Sequence, residues 1–531
     1  MEANLVLYNG NIHTMDSRQP HCRALAIAGK RVMAVGDDAE IKALLGPRGE
    51  AVDLGGRTVV PGFTDCHVHF LSYSLSLQQI DLANVPTLEE ALARVAARAA
   101  TTPAGYWLRG RGWDHSLWGM SAFPTRHDLD RVAPHHPVYL ERKCGHAGWA
   151  NSRALELAGI TAQTPDPPGG QIERDPATGE PTGILKELAM ELISRLLEEP
   201  SLEQAVAAIR TGMGHAHRLG LVGIHDMEGA LALRAMQELN ARGELKLRVL
   251  MQIPEASLDA AIQVGLQSGF GDDHLRIGGV KIFSDGALGA RTASMLEAYD
   301  SEPDNYGIML ADPVHLREVI GKASRAGIAA FVHAIGDRAN REVLNAIEAS
   351  RQAGEGPHLR HRIEHAQLLH PDDIPRFARL GVIPSMQPIH ATQDMVLADT
   401  YWGARNIGAY AWRSLLASGA TLAFGSDCPV EDLSPLKGIH AAVTRRRADG
   451  SPGPDGWYPE QRLTVGEAIY AYTAGAAYAG GEEATRGTLA PGKLADLVVL
   501  SHDIFTIEPM AILDVEPVAT MFDGEFVYAR W

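Results

Sequence analysis

The chain has 531 residues, 45% of them hydrophobic, and carries 48 Lys and Arg against 65 Asp and Glu, a formal charge of −17. That length exceeds what one hydrophobic core serves, so two well-packed domains are expected, and the negative balance argues against nucleic acid or an anionic membrane as partner while leaving a small-molecule substrate open. Four cysteines without C-x-x-C spacing suggest neither a disulfide framework nor a structural zinc knuckle; a start without a basic and apolar leader, and no run of about 18 uncharged apolar residues, point to a cytoplasmic protein.

At the amino end, Leu5 to Tyr8, Ala24 to Ile27 and Val32 to Val35 read as short hairpin strands. At the other end, Leu497 to Leu500 and Thr520 to Phe522 against Phe526 to Tyr528 across Asp523-Gly524 read the same way. A few strands cannot bury a core unaided, so one small β-sandwich built from both termini, residues 1–61 plus 483–531, is expected. The middle, 62–482, would be inserted into it.

Between these ends, strand-like runs alternate with amphipathic helices. The runs are Val60 to Cys66, Leu221 to Asp226, Leu247 to Ile253, Gly279 to Ser284, Ala329 to Ala334, His361 to Ala366, Val382 to Gln387 and Thr421 to Asp427. Eight such strands predict an α/β fold, a (β/α)8 TIM barrel with its active site at the carboxyl ends of the strands. The gap after the first strand is too long for a simple connection. Beyond a helix opened by Thr87-Leu88-Glu89-Glu90, it carries a large insertion at about 103–200, with its own strand at Pro137 to Leu140 and a Gly/Pro stretch from Pro165 to Gly170. Emerging on the ligand side, that insertion could shape a substrate pocket, with Trp107, Trp113, Trp118 and Trp149 as wall or core.

His67 and His69 close an apolar run with two imidazoles spaced by two, which in a strand point to one face and can reach one metal ion. The chain supplies its own control at His215-Ala216-His217. There Ser201-Leu202-Glu203-Gln204 reads as a capping box opening a helix through Leu219, and residues i and i+2 of a helix do not face each other. Partners for the first pair stand at other strand ends: Lys281, His333, His365 and Asp427. Two imidazoles and a carboxylate suit a borderline divalent ion such as zinc, and two more imidazoles could hold a second. A protonated ammonium beside cations is strongly disfavoured, so Lys281 is either outside the ligand set or chemically altered, for example to a carbamate whose two oxygens can bridge two ions. Cys66 and Cys428 adjoin proposed ligands but read as small buried apolar groups.

At these residues the chain resembles the amidohydrolase superfamily, and within it the subgroup that includes N-substituted formamide deformylases. The matching stretches are Pro61 to His69, Gly112-Trp113-Asp114, Val280 to Ala293, His333 to Ala339, His361 to Gln367, Gly425-Ser426-Asp427 and Pro491 to Leu497. The resemblance covers essentially the whole chain. It implies that His67, His69 and Asp427 bind the more buried metal, that His333 and His365 bind the more exposed one, and that N6-carboxylysine at Lys281 bridges them. It also implies hydrolysis of a non-peptide C–N bond in an N-formyl or N-acyl amide or a cyclic amide, with Asp427 as the proton carrier.

Trp113, His146, Asp285 and Arg291 fall in or near these stretches as candidate substrate contacts, each weighed against a bland alternative of core packing or a loop-bracing ion pair. Asp337 is a candidate carboxylate partner for a liganded imidazole. A mononuclear deaminase with unmodified Lys281 is the rival enzyme; a catalytically dead binding protein is the rival class, and its usual mark, missing ligands, is not seen. A homodimer is expected by base rate alone.

Overall fold

Gly62 divides what the sequence presents as one strand. Thr58–Pro61 pairs with Leu497–Leu500 and with Asn11–His13, whereas Phe63–Val68 begins a different sheet. A Cβ at position 62 would lie 2.4 Å from the Val222 side chain, so glycine lets the chain cross between the sheets. The computed structural model describes residues 2–531 apart from 84, 116, 121, 144, 146, 198, 199 and 301. The candidate His146 thus lies outside the described residues. Two compact units form, residues 1–70 with 212–531, and residues 71–211.

The first unit contains an eight-stranded parallel sheet: β1 (Phe63–Val68), β2 (Leu221–Asp226), β3 (Arg248–Pro254), β4 (Leu275–Phe283), β5 (Ala329–Ala334), β6 (Arg362–His365), β7 (Ile383–Met386) and β8 (Ala423–Phe424). Strand neighbours follow chain order. The Asp427 N–H donates to the His67 carbonyl at 2.7 Å and the His69 N–H to the Cys428 carbonyl at 2.8 Å, bringing the two edges together in a nearly closed barrel. Four strands end sooner than expected, β4 at Phe283, β6 at His365, β7 at Met386 and β8 at Phe424. His365 and Asp427 have φ of 76° and 60°, left-handed values that leave the extended region and cost about 1–3 kcal/mol each for a non-glycine residue.

Helices on the outside follow the usual sequence signals. Asp312 caps Pro313–Arg325, its carboxylate accepting from the Val314 and His315 N–H groups. Asp337–Gln352 buries Ala339, Val343, Leu344, Ala346 and Ile347, a stripe at helical spacing, and shows charge on its other face. The helix Leu202–Arg218 opens on the reciprocal pair expected, Ser201 N–H to Gln204 Oε1 at 2.8 Å and Gln204 N–H to Ser201 Oγ at 3.3 Å.

The same unit holds two further sheets. One, of four strands, orders Arg31–Gly36, Ala24–Ala28, Ala3–Tyr8 and Leu45–Asp53; the other, of six, orders Glu525–Ala529, Pro517–Phe522, Leu497–Leu500, Thr58–Pro61, Asn11–His13 and His21–Cys22. Leu5, Leu7, Leu25, Ile27, Val59, Leu497, Val499 and Met521 share one apolar core. The hairpin at Asp523-Gly524 takes left-handed values at both turn residues, 53° and 77°, the geometry a two-residue hairpin requires.

The unit 71–211 has its own six-stranded sheet, from Ile80–Asp81 and Leu108–Trp113 through to Gly170–Arg174. Leu88–Thr101 is capped by the Thr87 hydroxyl. Trp113 and Trp149 are fully buried in this unit's core, with Trp118 packed against them. Among the described residues no helix is long and apolar enough to cross a membrane.

Candidate metal centre

The site is assembled where β1 meets the end of β8. The buried Asp65 carboxylate accepts from the His67 N–H at 3.0 Å, the Ser426 N–H at 3.0 Å and the Ser426 hydroxyl at 2.5 Å. Burial pushes its carboxyl up to about 7. Gly425 permits the approach, since a Cβ there would meet the His67 nitrogen at 2.5 Å.

Three imidazoles each commit one nitrogen to an oxygen that can only accept. His67 Nδ1 lies 2.6 Å from Glu364 Oε2, His365 Nδ1 lies 2.9 Å from Gln387 Oε1, and His333 Nε2 lies 3.0 Å from the Gly286 carbonyl. These bonds place the protons on those nitrogens and leave His67 Nε2, His365 Nε2 and His333 Nδ1 as lone-pair donors. The rings cluster, with centroids 4.7 Å apart for His67 and His365 and 4.6 Å for His333 and His365. Asp427 Oδ1 is 3.4 Å from His67 Nε2 and 3.4 Å from His69 Nε2. Ligand atoms of His67, His365 and Asp427 all lie within 4.8 Å of one another. Buried imidazoles with lone pairs converging on a carboxylate are a donor set that fits a divalent ion.

Electrostatics agree with that fit. Burial, reinforced by the charge of Lys281, lowers His67 and His333 to about 4 each, so both are neutral and able to ligate. Lys281 is itself lowered to about 8 by burial, against the pull of Glu364 and Asp427. Burial opposes the charge of Glu364, but Arg362, with Nε 2.9 Å from Glu364 Oε1, and His67 outweigh it and hold the carboxyl at about 2. Asp427 is likewise held well below the carboxylate range, His67, His390 and His69 overcoming its burial.

His390 is absent from the sequence-based set. It sits in the helix Pro388–Tyr401, which follows β7, with Nε2 3.3 Å from Asp427 Oδ2 and Nδ1 3.7 Å from Glu431 Oε1. The two carboxylates raise it to about 10 despite its burial. The available signal was a proline at the first turn of a helix starting at the ligand end of a strand.

Several candidates take other roles. Trp113 is 0% exposed and its indole N–H donates to the Leu140 carbonyl at 2.8 Å; it packs a core, which corrects the substrate-contact expectation. The buried Asp285 carboxylate accepts from the Ser294, Ile335 and Gly336 N–H groups at 2.9, 3.0 and 2.9 Å, so it braces backbone beside His333 and has no free face for substrate. Arg291 forms an ion pair with Glu302 at 2.5 Å in a loop, the bracing alternative. Asp337 accepts from the Leu296 N–H at 2.8 Å; the imidazole partners are Glu364, Gln387 and the Gly286 carbonyl instead. Cys66 packs with Ile383, Ala423, Ala476 and Ala479, and burial pushes its thiol up to about 12.

The amidohydrolase family model matches residues 50–528. The chain is 35% identical to the Arabidopsis thaliana protein LONG AFTER FAR-RED 3 over 94% of its length and 87% of that protein. It is 30% identical to the N-substituted formamide deformylase of Arthrobacter pascens, covering 99% of this chain and 98% of the other. A crystal structure of an uncharacterised metal-dependent hydrolase from Pyrococcus furiosus superposes with a TM-score of 0.78 at 31% identity, covering 94% of this chain and all of that one.

Proposed function

We propose, from the premise that this chain belongs to the amidohydrolase family, that it cleaves a small N-formyl or N-acyl amide or a cyclic amide. At the coarser level it is a metal-dependent hydrolase of carbon–nitrogen bonds other than peptide bonds. The reading rests on one observation: three imidazoles fixed as ligand tautomers, two of them, His67 and His365, buried and gathered around an ionised Asp427.

In this reading His67, His69 and Asp427 would hold one zinc-type ion, His333 and His365 would hold a second, and Lys281, as N6-carboxylysine, would serve as a ligand to both. Bound there, a divalent ion supplies Lewis acidity, acidifying a water molecule and polarising the scissile carbonyl. Lys281 is suited to its part because its neutral Nζ can form a bond to the carbon of carbon dioxide, losing a proton to give the carbamate. Asp427 turns Oδ1 to the imidazoles and Oδ2 to His390. It accepts the proton of the attacking water and returns it to the departing nitrogen. His390, braced by Glu431, fixes that carboxylate.

The test is a turnover screen of metal-loaded protein against N-formyl amines, N-acyl amino acids, cyclic amides and aminopurines. Turnover of one of the amide classes is expected; deamination of aminopurines alone would replace this reading by the mononuclear deaminase. For the architecture, we propose a composite sandwich domain, 1–61 plus 483–531, around a barrel domain at 62–482 that is interrupted by an insertion at about 103–200. The support is the six-stranded sheet shared by both termini. Removing residues 483–531 is expected to expose the apolar face around Leu5, Leu7 and Val59 and yield insoluble protein; a soluble, active truncation would contradict the layout.

A further inference from the structure

We infer that Phe283 is a specificity-determining residue of the hydrolytic site, and that the amide cleaved there carries an apolar group on its acyl carbon. The inference rests on the hydrolase reading above and narrows it: an acyl group such as benzoyl or butyryl is taken in preference to formyl.

Phe283 is the last residue of β4, the strand that carries Lys281. Residues two apart in a strand share a face, and here Lys281 Nζ lies over the Phe283 ring, 5.1 Å from its centroid. Phe283 is also in register with His333 on β5, and the two rings are 5.4 Å apart. The phenyl ring thus touches two of the proposed ligands. It is nonetheless 51% exposed, whereas Lys281 is buried. An aromatic face half in water beside a polar cluster adds little to the core, and covering it with a bound apolar group is favourable. The polar groups next to it are already committed. His333 Nε2 bonds to the Gly286 carbonyl, Asp285 accepts three backbone N–H groups, and Arg291 pairs with Glu302. Leu310, whose N–H donates to the Ser284 carbonyl at 2.8 Å, is a second exposed apolar residue beside this strand end.

Asp427 decides which half of the substrate falls on that ring. Hydrolysis breaks the C–N bond, joins the water oxygen to the acyl carbon and passes the water proton through Asp427 to the departing nitrogen. The nitrogen must therefore face that carboxylate. Asp427 contacts His67, His69 and His390, whereas Phe283 contacts Lys281 and His333. The His365 ring stands between the two sets, 4.7 Å from His67 and 4.6 Å from His333. With the nitrogen at Asp427, the acyl substituent is left on the side of Phe283. A formyl group has no substituent to lay there; a benzoyl or butyryl group has one.

The test uses full-length, zinc-loaded protein. Benzoyl and formyl amides of the same two amines, benzylamine and glycine, are the substrates, and benzoate and formate are binding probes followed by calorimetry. The variants are Phe283→Ala and, as control, Phe270→Ala. Phe270 is 68% exposed and precedes the other end of β4, where its carbonyl accepts the Ile277 N–H at 2.9 Å. Wild type is expected to favour benzoyl over formyl. Phe283→Ala should cut that preference about tenfold, through KM and not kcat, and should weaken benzoate but not formate binding, with Phe270→Ala unchanged. Formyl favoured over benzoyl, an equal loss on both acyl groups, or a preference and benzoate affinity left intact in Phe283→Ala would overturn the inference and spare the hydrolase reading. Zinc-loaded wild type that cleaves none of the four amides would overturn that reading as well.

Discussion

The pattern His-x-His occurs at 67–69 and again at 215–217, and the two copies have opposite surroundings. His67 is on a barrel strand, with Nδ1 bound to Glu364 and Nε2 aimed at the same Asp427 oxygen that faces His69. His215 and His217 are on a helix, and the Nε2 of His217 bonds to the Lys246 carbonyl at 2.8 Å. Identical spacing therefore becomes a cradle only where the backbone period is two and a carboxylate fixes the tautomer.

The comparison is broken most directly by substituting both copies. His67→Asn should lower turnover by roughly a thousandfold or more and strip metal, whereas His217→Asn should leave both unchanged; equal losses at the two sites would erase the distinction. Lys281→Ala should lose nearly as much activity while remaining folded, with partial rescue by a short carboxylic acid and bicarbonate, and full activity in that variant would remove the bridge. Because only the neutral amine adds carbon dioxide, carboxylation of metal-free protein should slow about tenfold per unit as pH falls below about 8, followed by mass spectrometry of the folded chain.

Glu364→Gln sharpens the comparison at the tautomer-fixing partner. Metal affinity should fall about 10–100-fold. The variant should also lose stability that wild type has above the ordinary carboxyl value of 4.5 and gives up as pH falls toward about 2. Denaturant titrations at stepped pH should show the gap between the two proteins closing across that window; a constant gap would contradict the role of the carboxylate. The smallest effect is expected for His390→Asn, about a tenfold fall in kcat with metal retained, and an unchanged kcat would free Asp427 of its brace.

Much of the barrel and its polar strand ends could be read from alternating runs, because apolar periodicity survives in the sequence. Strand ends could not. Alternation predicts that Glu364 and His365 face opposite sides, yet Glu364 bonds His67 and the ring of His365 packs 4.7 Å from it, since the left-handed backbone at His365 turns its side chain back. Gly62 splits a run that looks continuous because two apolar sheets meet there. The proline before His390 marks only a helix start; the pairing of His390 and Gln387 was illegible because their partners lie 37 and 22 residues away, and no local pattern encodes such pairs. Trp113 could be read as pocket wall or as core because aromatic composition does not distinguish the two.

The most direct test is a crystal structure of the zinc-loaded protein collected across the metal absorption edge. Anomalous density is expected among His67, His69, His333, His365 and Asp427, with extra density continuous with Lys281 Nζ. An empty cluster, with Lys281 unmodified and Asp427 bonded only to protein groups, would contradict the account.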